Sequence, residues 1–501
     1  MVRELPADET DAATADHFIP RTRAGDPPDS GLKPGHRHAQ AGTPLAEPEA
    51  EELIGAICFK TGPPGTIGAE LEWLVRDCAD PWLAVPFRRI QQVYDALKKP
   101  GILPGAGLLT LEPGGQVELS TAPARDLSEC IAAASGDLAV LHDAFGDAGL
   151  VLTGRGIDPL RRPNRVLELP RYAAMEEFFD RDGHWGRLMM CSTASVQVCV
   201  DAGLDDDGAF GCAFRWRLLH ALGPVLVGAF ANSPLRRGQP TGWKCTRQLV
   251  WSRLDPGRTR PPEGAEPCAG RQATSPLLRP NGSGDARENW VRYAMDADVL
   301  CVRQPDGQPW TVPAGLTFRD WLRGPDQPRP PGFQGPAGPT ADDLIYHLST
   351  LFPPVRPRGH LELRMIDAQP GDGWVIPVAV VAALTDDPVA ADAAMVAVEP
   401  VWHQLDPPGQ QVPASRAARP GPARQAVASP WLRAARLGLA DPVLAKAARE
   451  CFKAADAALG RLDAPPRVRN AVADFAERYV RRARCPADDI LDTIAHLEGQ
   501  S

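Results

Sequence analysis

Two glutamates, Glu70 and Glu72, stand two residues apart in the sequence GAELEW, each flanked by apolar residues. On an extended strand, residues two apart point to the same face and lie roughly 7 Å apart. Two carboxylates this close repel each other unless a cation neutralises them. Ligand sets made only of oxygen select hard cations such as Mg²⁺, and Mg²⁺ in turn implies phosphate chemistry. The pair therefore predicts a cation site on one face of a strand.

Three further segments alternate polar and apolar residues with the same period of two, which is typical of a sheet with one wet face. Their polar faces carry Gln116 and Glu118 in 112–120, Ser195 and Gln197 in 192–201, and Glu362 and Arg364 in 360–366. One such strand by itself is most simply a sheet strand with a solvated outer face. Three of the four segments, however, place glutamate on the polar face without any lysine, which favours a shared acidic site.

The acids converge only if these strands share one sheet. An antiparallel sheet with helices on its opposite face forms an open funnel, in which acids from several strands can surround metal ions that bridge ATP phosphates. We therefore predict an α+β fold. The helices expected to cover the sheet are 127–147, 170–180, 209–230, 340–351 and 377–396. Because the chain has no Walker A loop, dinucleotide fingerprint or kinase motifs, any nucleotide must be held by metal ions, arginines and backbone amides.

Proline and glycine clusters set the expected boundaries along the chain. We predict a flexible N-terminal tail at 1–45, a catalytic domain at 46–403, a Pro-rich linker or loop at 404–424 and a C-terminal helical subdomain at 425–501. Two Pro/Gly-rich insertions, 255–287 and 323–340, are expected to interrupt the catalytic domain.

The overall composition excludes several classes of protein. The net charge of −9 gives no long-range attraction for nucleic acid or an anionic membrane. The eleven cysteines form no C-x-x-C pair, which argues against a zinc ribbon or a disulfide scaffold and fits a reducing cytosol. No signal sequence and no apolar run of about 18 residues is present, so we expect a cytoplasmic protein.

Residues 111–120 (LEPGGQVELS) resemble the most diagnostic segment of the plant-type glutamate–cysteine ligases. Further similar segments follow in the family's order between about 55 and 400: Met189 and Met190 with 195–198, 232–234, Gly242 and Trp243, Arg247 with Trp251, Arg258 and Thr259, Trp290 with Tyr293 and Ala294, 359–364 and 371–374. The sequence DAQPG at 367–371 is similar to the actinobacterial branch that serves ergothioneine synthesis.

This resemblance implies a glutamine-synthetase-like active-site funnel on a curved antiparallel sheet. It implies that ATP, with Mg²⁺, phosphorylates the γ-carboxylate of glutamate, and that the amine of cysteine attacks the acyl phosphate to give γ-glutamylcysteine. Glutamate and cysteine are the implied partners; no nucleic acid, membrane or obligate protein partner is implied.

The resemblance also implies roles for individual residues. The implied metal ligands are Glu70, Glu72, Glu112, Glu118 and Glu362, and the implied substrate-binding residues are Arg247, Asn232, Trp243 and Tyr293. Gln197 and Arg364 are expected at the nucleotide and metal site, and Glu362 and Arg364 are expected to be catalytic. Arg364 would either stabilise the transferring phosphoryl group or orient Glu362.

Several alternatives stay open from the sequence. Pro113 would place Glu112 outside the metal's direct ligands if it turns the chain away. Arg247 would otherwise form a structural salt bridge, and Trp243 and Tyr293 would otherwise be core residues. Cys199 stands where the family usually has asparagine, and no general base is identifiable. A ligase for a different amine, or a non-catalytic sensor on a ligase scaffold, are the competing functions.

Overall fold

The computed structural model describes residues 43–266, 285–305, 307–324, 338–405 and 429–498. The predicted tail up to residue 42 lies outside the described residues. So do 267–284 and 325–337 of the two predicted insertions and residues 406–428, which contain most of the predicted linker.

The described chain forms an α+β fold around one antiparallel sheet. Its strands are β1 Ile67–Asp77, β2 Leu108–Leu111, β3 Val117–Ser120, β4 Leu150–Thr153, β5 Ser195–Val200, β8 Val355–Pro357 and β9 Leu361–Asp367, and a separate short hairpin is formed by β6 Leu235–Arg236 and β7 Gln239–Pro240. The order across the sheet is β2-β3-β1-β5-β9-β8, and β4 pairs with the C-terminal part of β1. All pairings are antiparallel, so strands far apart in sequence become neighbours.

Helices pack around the sheet, and several of them cover the face opposite the predicted acids. They are α1 Glu47–Cys58, α2 Phe87–Leu97, α3 Leu127–Asp147, α4 Pro170–Asp180, α5 Trp185–Ser192, α6 Cys212–Ala229, α7 Thr246–Trp251, α8 Pro256–Thr259, α9 Ala286–Asp296, α10 Phe318–Leu322, α11 Ala341–Leu348, α12 Val375–Asp386, α13 Pro388–Leu405, α14 Pro430–Leu437, α15 Pro442–Arg461, α16 Pro466–Phe475 and α17 Pro486–Glu498. The alternation on β1 explains this layering, because Leu71, Trp73 and Val75 all point into the main core. Helix α3 packs on β1 and β4, α6 packs on β9, and α12 packs on β5.

Four predicted helices match α3, α4, α6 and α11, but the predicted helix at 377–396 is wrong as one element. It is two helices, α12 and α13, separated by Asp387 in an extended conformation. The residue before a proline avoids helical geometry, and Pro388 follows Asp387 directly. The Asp387 carboxylate then accepts a hydrogen bond from Ala390 N at 2.8 Å, which caps the second helix.

In the segment 112–120, where the two glycines permit a tight turn or bulge, residues 112–116 form a turn that joins β2 to β3, and only Val117–Ser120 is strand. The turn needs both glycines of the sequence EPGGQ. Gly115 has a φ of +83°, and a Cβ on Gly114 would lie 2.3 Å from the carbonyl oxygen of Cys191. Gln116 fixes the turn from inside, since its amide donates to Thr193 O at 2.9 Å and to Met190 O at 3.2 Å.

The C-terminal helices share the main core. Helix α15 packs against α6, α12 and α13, and Phe452 and Phe475 stack with ring centroids 5.7 Å apart. In the part of the chain that the structure describes, no single helix is long and apolar enough to cross a membrane. One pair, Gly371–Asp386 with Pro388–His403, meets the length and hydropathy test only when taken together, and it is bent by 104°.

Candidate active site

The sheet brings the predicted acids together on the face opposite its main core, which we call the acidic face. The register sets Glu72 of β1 directly beside Glu118 of β3, and it sets Glu70 beside Gln197 of β5. On the next strand, Glu362 of β9 stands opposite Cys199. Side chains on neighbouring strands at the same level lie about 5 Å apart at Cβ, so the carboxylates from three strands line one surface.

Glu72 is the best-oriented carboxylate of this group. Its Oε2 accepts a hydrogen bond from Ser195 N at 2.9 Å, and its Oε1 accepts from Ser195 Oγ at 2.9 Å and Gln197 Nε2 at 3.0 Å. These donors fix the direction of the carboxylate without neutralising its charge.

Three further glutamates, Glu70, Glu112 and Glu118, repel one another and Glu72. Burial, and then the charge of Glu362, raise the pKa of Glu70 to about 7. Burial and then Glu72 raise the pKa of Glu112 to about 7. Burial and the neighbouring glutamates hold the pKa of Glu118 well above its usual range, although Thr110 Oγ1 donates to its carboxylate at 2.9 Å. Such mutual repulsion indicates a site that a cation would stabilise.

Glu112 interacts with this acidic group despite the proline that follows it. The Pro113 turn carries the chain back toward β3, where Glu112 N donates to Gln116 O at 2.9 Å. In addition to burial, the charges of Glu72 and Glu70 raise the pKa of the Glu112 carboxyl group. The charges of Arg364 and Arg171 lower it.

Glu362 differs from the other acids because arginines already compensate its charge. Arg356 binds both carboxylate oxygens, with Nη2 2.9 Å from Oε1 and Nε 3.2 Å from Oε2. Arg364 Nη1 also donates to Oε1, and Arg358 Nη1 lies 3.7 Å from Oε2. Although burial opposes ionisation, these guanidinium groups hold the pKa of Glu362 well below its usual range. The metal-ligand role expected for Glu362 stays a prediction, and in this structure its carboxylate is bound by arginines.

Gln197 connects the carboxylates to the arginines. Its Oε1 accepts from Arg364 Nη1 at 2.6 Å, and its Nε2 donates to Glu72. Arg364 Nε is buried without a hydrogen-bond partner, and its guanidinium carbon lies 5.8 Å from the ring centroid of Phe352. The Arg364 guanidinium is therefore fixed in position and keeps a free donor.

Arg247 lies beside this network with most of its donors unused. The residue is 2% exposed, and its Nη2 donates to the carbonyl of Arg364 at 2.8 Å. Its Nε and Nη1 are buried without a partner. Burial lowers the pKa of Arg247, and Asp367 and Glu72 oppose that change. The free donors suit the planar recognition of a carboxylate.

The other three expected substrate-binding residues lie away from the carboxylates or are already engaged. Asn232 Nδ2 donates to Gly154 O at 3.0 Å and Ala368 O at 2.7 Å, and its Oδ1 accepts from Arg155 at 3.1 Å. Tyr293 stacks on Trp290 with ring centroids 5.3 Å apart, and burial raises the pKa of the Tyr293 hydroxyl. Trp243 is partly buried against the main core.

The sequence interpretation missed Arg356 and Arg171, which also act on the site. Arg356 lies on β8 and reaches Glu362 across the hairpin to β9, so the alternation within 360–366 gave no signal for it. Arg171 stacks over Tyr346 at 4.9 Å and acts on Glu112, but its position after Pro170 at the start of α4 gave no such signal. Burial holds the pKa of the Cys199 thiol well above its usual range, so this cysteine is not an activated nucleophile.

The acidic group suits Mg²⁺ held jointly with a ligand's phosphates. Within the described ranges, no three His, Cys, Asp or Glu side chains converge tightly enough to hold an ion alone. Mg²⁺ is usually bound by one or two carboxylates together with waters and substrate phosphates. Glu70, Glu72, Glu112 and Glu118 offer oxygens of that kind.

The model of glutamate–cysteine ligase family 2 matches residues 66–430. The chain is 39% identical over 452 residues to the glutamate–cysteine ligase EgtA of Mycobacterium tuberculosis (strain H37Rv), an alignment that covers 89% of this chain and 90% of that protein. It is 38% identical over 448 residues to EgtA of Mycolicibacterium smegmatis, with coverage of 89% and 91%.

Two more distant proteins are also similar. The chloroplastic glutamate–cysteine ligase of Nicotiana tabacum is 30% identical over 272 residues, covering 54% of this chain and 47% of that protein. Among solved structures, the glutamate–cysteine ligase of Francisella tularensis in complex with AMP aligns with 87% of this chain and 86% of that chain, at 11% identity and a TM-score of 0.43.

Proposed function

The chain belongs to glutamate–cysteine ligase family 2, and from this membership we propose that it joins the γ-carboxylate of glutamate to the amine of cysteine at the expense of ATP. The products are γ-glutamylcysteine, ADP and phosphate. The similarity to the mycobacterial EgtA proteins over about nine tenths of both chains, at 89% and 90%, carries this proposal. It also supports a role in supplying γ-glutamylcysteine to ergothioneine synthesis.

The reaction has two steps. In the first, an oxygen of the glutamate γ-carboxylate attacks the terminal phosphorus of ATP and ADP leaves. In the second, the cysteine amine attacks the acyl phosphate carbon, phosphate leaves and the amine loses a proton. Bound Mg²⁺ would neutralise the triphosphate charge, and we assign its ligands among Glu70, Glu72, Glu112 and Glu118.

We assign Arg364 on β9 and Arg247 on α7 to the substrate charges that the metal does not neutralise. Arg364, held by Glu362 and Gln197, directs a fixed cation at the acidic face and would stabilise charge on the transferring phosphoryl group. We propose that Glu362 acts by positioning Arg364 and Arg356, since both donate to its carboxylate. Arg247 would bind the α-carboxylate of glutamate through its free Nε and Nη1.

Incubation of the purified protein with ATP, Mg²⁺, glutamate and a panel of amines tests this function. Phosphate release and γ-glutamyl product are expected to be greatest with cysteine. Equal turnover with several amines would refute the specificity for cysteine and favour a ligase for another amine. Absence of phosphate release with every amine would favour a non-catalytic amino-acid or nucleotide sensor.

The raised pKa values predict that Mg²⁺ stabilises the protein more at pH 8 than at pH 6. Carboxyl groups with a pKa of about 7, such as Glu70 and Glu112, hold protons at pH 6 that Mg²⁺ must displace. Without metal, the stability that their protonation contributes is full below about pH 4.5 and is lost as the pH rises through about 7. The rise in Tm on adding Mg²⁺ should therefore grow by roughly 2–4 °C between pH 6 and pH 8.

Differential scanning fluorimetry with and without Mg²⁺ measures this difference. Choline chloride at matched ionic strength controls for simple screening of the acidic surface. A Mg²⁺-dependent rise in Tm that is equal at both pH values would contradict the assignment of Glu70 and Glu112 to the metal site.

A further inference from the structure

Arg76 is a half-buried arginine that, like Arg247, has buried donors without hydrogen-bond partners. It lies on β1, and both its Nε and its Nη2 are buried and unpartnered. Among the arginines that the structure describes, only Arg76 and Arg247 have two buried nitrogen atoms in this condition. A buried cation with free donors costs stability in the absence of an anion, so this position calls for a ligand.

The surroundings of Arg76 are cationic. The charge of Arg161 acts on Arg76, and the charge of Arg76 acts on Arg155, so the three guanidinium groups lie close together. The nearby acid is Asp158, and it is already satisfied: Arg161 Nε donates to it at 2.7 Å, and Leu160 N and Arg161 N donate at 2.9 and 3.0 Å. Burial and then Arg76 lower the pKa of Arg155. These three arginines around one acid leave an excess of positive charge, which suits an anion.

Arg76 shares the acidic face of the sheet with the carboxylates. Arg76 is four residues beyond Glu72 on the same strand, which is roughly 13 Å along its axis. Between the two positions lies a small apolar cluster of Leu74, Ala194 and Ala368, separate from the main core. The extended side chain of Arg76 and an acyl phosphate held at the metal ligands both project over this apolar cluster, and one α-amino acid can join them because its amine and carboxylate are separated by a single carbon.

Arg155 is held in place by Asn232. Arg155 Nη1 donates to Asn232 Oδ1 at 3.1 Å, and Asn232 is fixed by hydrogen bonds to Gly154 O and Ala368 O. Asn232 N also donates to Asp367 at 2.9 Å, on the strand that carries Arg364. Asn232 thus positions Arg155 and does not itself need to contact the substrate.

We propose that Arg76, supported by Arg155, binds the α-carboxylate of the acceptor amino acid. This assignment rests on the proposed ligase function, whose two amino-acid substrates each carry one carboxylate that does not react. Arg247 lies beside Glu72 and Arg364, where glutamate must be activated, so Arg76 is the one left for the carboxylate of the attacking amino acid. The specificity for an amino acid over a simple amine then comes from Arg76.

An Arg76→Met variant tests the proposal with cysteine and with cysteamine, which is cysteine without its carboxylate. Loss of a charge-assisted hydrogen bond should raise the KM for cysteine by about 10- to 100-fold. The KM for glutamate, the KM for ATP and the turnover of cysteamine should change less than about twofold, because none of them uses this contact. Arg247→Met should instead raise the KM for glutamate. The thermal midpoint of Arg76→Met should not fall, since a buried, unpaired cation is removed.

Arg162→Gln is the matched control. Arg162 is exposed and lies next to Arg161 in the chain. The Arg162→Gln substitution removes the same charge as Arg76→Met. Its three KM values should equal those of the wild-type enzyme. If Arg162→Gln raises the KM for cysteine as much as Arg76→Met does, the effect is long-range electrostatics and the site is refuted.

The remaining outcomes separate this proposal from the ligase function. An Arg76→Met variant with a raised KM for ATP or glutamate only would show that the anion is a phosphate or the donor's carboxylate. Equal losses with cysteine and cysteamine, together with a lower Tm, would show a structural role. If the wild-type enzyme prefers another amino acid, the comparison is made with that amino acid and its decarboxylated amine. If Arg76→Met leaves the ratio of the KM values for that amino acid and its amine unchanged, the carboxylate site is refuted. An inactive wild-type enzyme instead refutes the ligase function.

Discussion

A Glu118→Gln variant is expected to lose almost all ATP-dependent formation of γ-glutamylcysteine, with kcat lower by about 10³-fold or more. Glu118 stands directly beside Glu72, and a glutamine there removes one anionic oxygen ligand from the acidic group. The fold should be unaffected. Burial and its acidic neighbours raise the pKa of Glu118 well above its usual range, so an uncharged amide of the same shape does not disturb this buried position.

Steady-state kinetics and thermal unfolding together test this prediction. Without metal, the Tm of Glu118→Gln should be no lower than that of the wild-type protein, while the rise in Tm caused by Mg²⁺ should shrink. Glu177→Gln, on the exposed face of α4, removes an equal charge and should keep the wild-type kcat. Retention of more than a tenth of the wild-type kcat, with the same dependence on Mg²⁺, would show that Glu118 is not a metal ligand.

An Arg364→Met variant should lower kcat by about 10²- to 10³-fold and change the KM for glutamate much less, because its cation is needed chiefly while the phosphoryl group transfers. Arg364 donates to both Glu362 and Gln197 and keeps a buried, unpartnered Nε. Arg364→Lys keeps the charge but lacks the planar fork, so an intermediate kcat is expected.

Arg358→Met is the matched comparison for Arg364→Met. Arg358 also faces Glu362, at 3.7 Å, but its side chain is 31% exposed, against 13% for Arg364. In both variants the two contacts from Arg356 remain on Glu362. We expect Arg358→Met to change kcat less than about threefold, because its contact with Glu362 is long and its guanidinium is partly solvated. Equal losses in the two variants would mean that Arg364 serves only to compensate the charge of Glu362.

The contrast between Glu362 and the other acids divides the acidic face into two parts. Glu70, Glu112 and Glu118 have raised pKa values and no arginine among the donors to their carboxylates, whereas three arginines surround Glu362. A metal ion would stabilise the first part most, because it removes the repulsion among the carboxylates there. The second part already has the cations that a transferring phosphoryl group requires. Gln197 joins the two parts through one hydrogen bond to each.

The sequence alone determined which side chains share a face. Periodicity is local, so the alternation of Glu70, Leu71 and Glu72 fixes their directions wherever the strand lies in the sheet. The same alternation placed Glu118, Gln197 and Glu362 on their polar faces, and α3 and α4 were found at their predicted bounds. The family resemblance likewise came from segments read in order along the chain.

Only the tertiary structure decided how each charge is compensated. Glu72 and Gln197 are 125 residues apart, and Arg364 and Gln197 are 167 residues apart, yet each pair is hydrogen bonded. The pKa of a buried carboxylate depends on which distant side chains reach it, and no local pattern encodes that. For this reason the sequence could place Glu362 on a polar face but could not show that Arg356 binds its carboxylate. For the same reason Arg76 was only one more polar residue of β1 until the fold placed Arg155 and Arg161 around it.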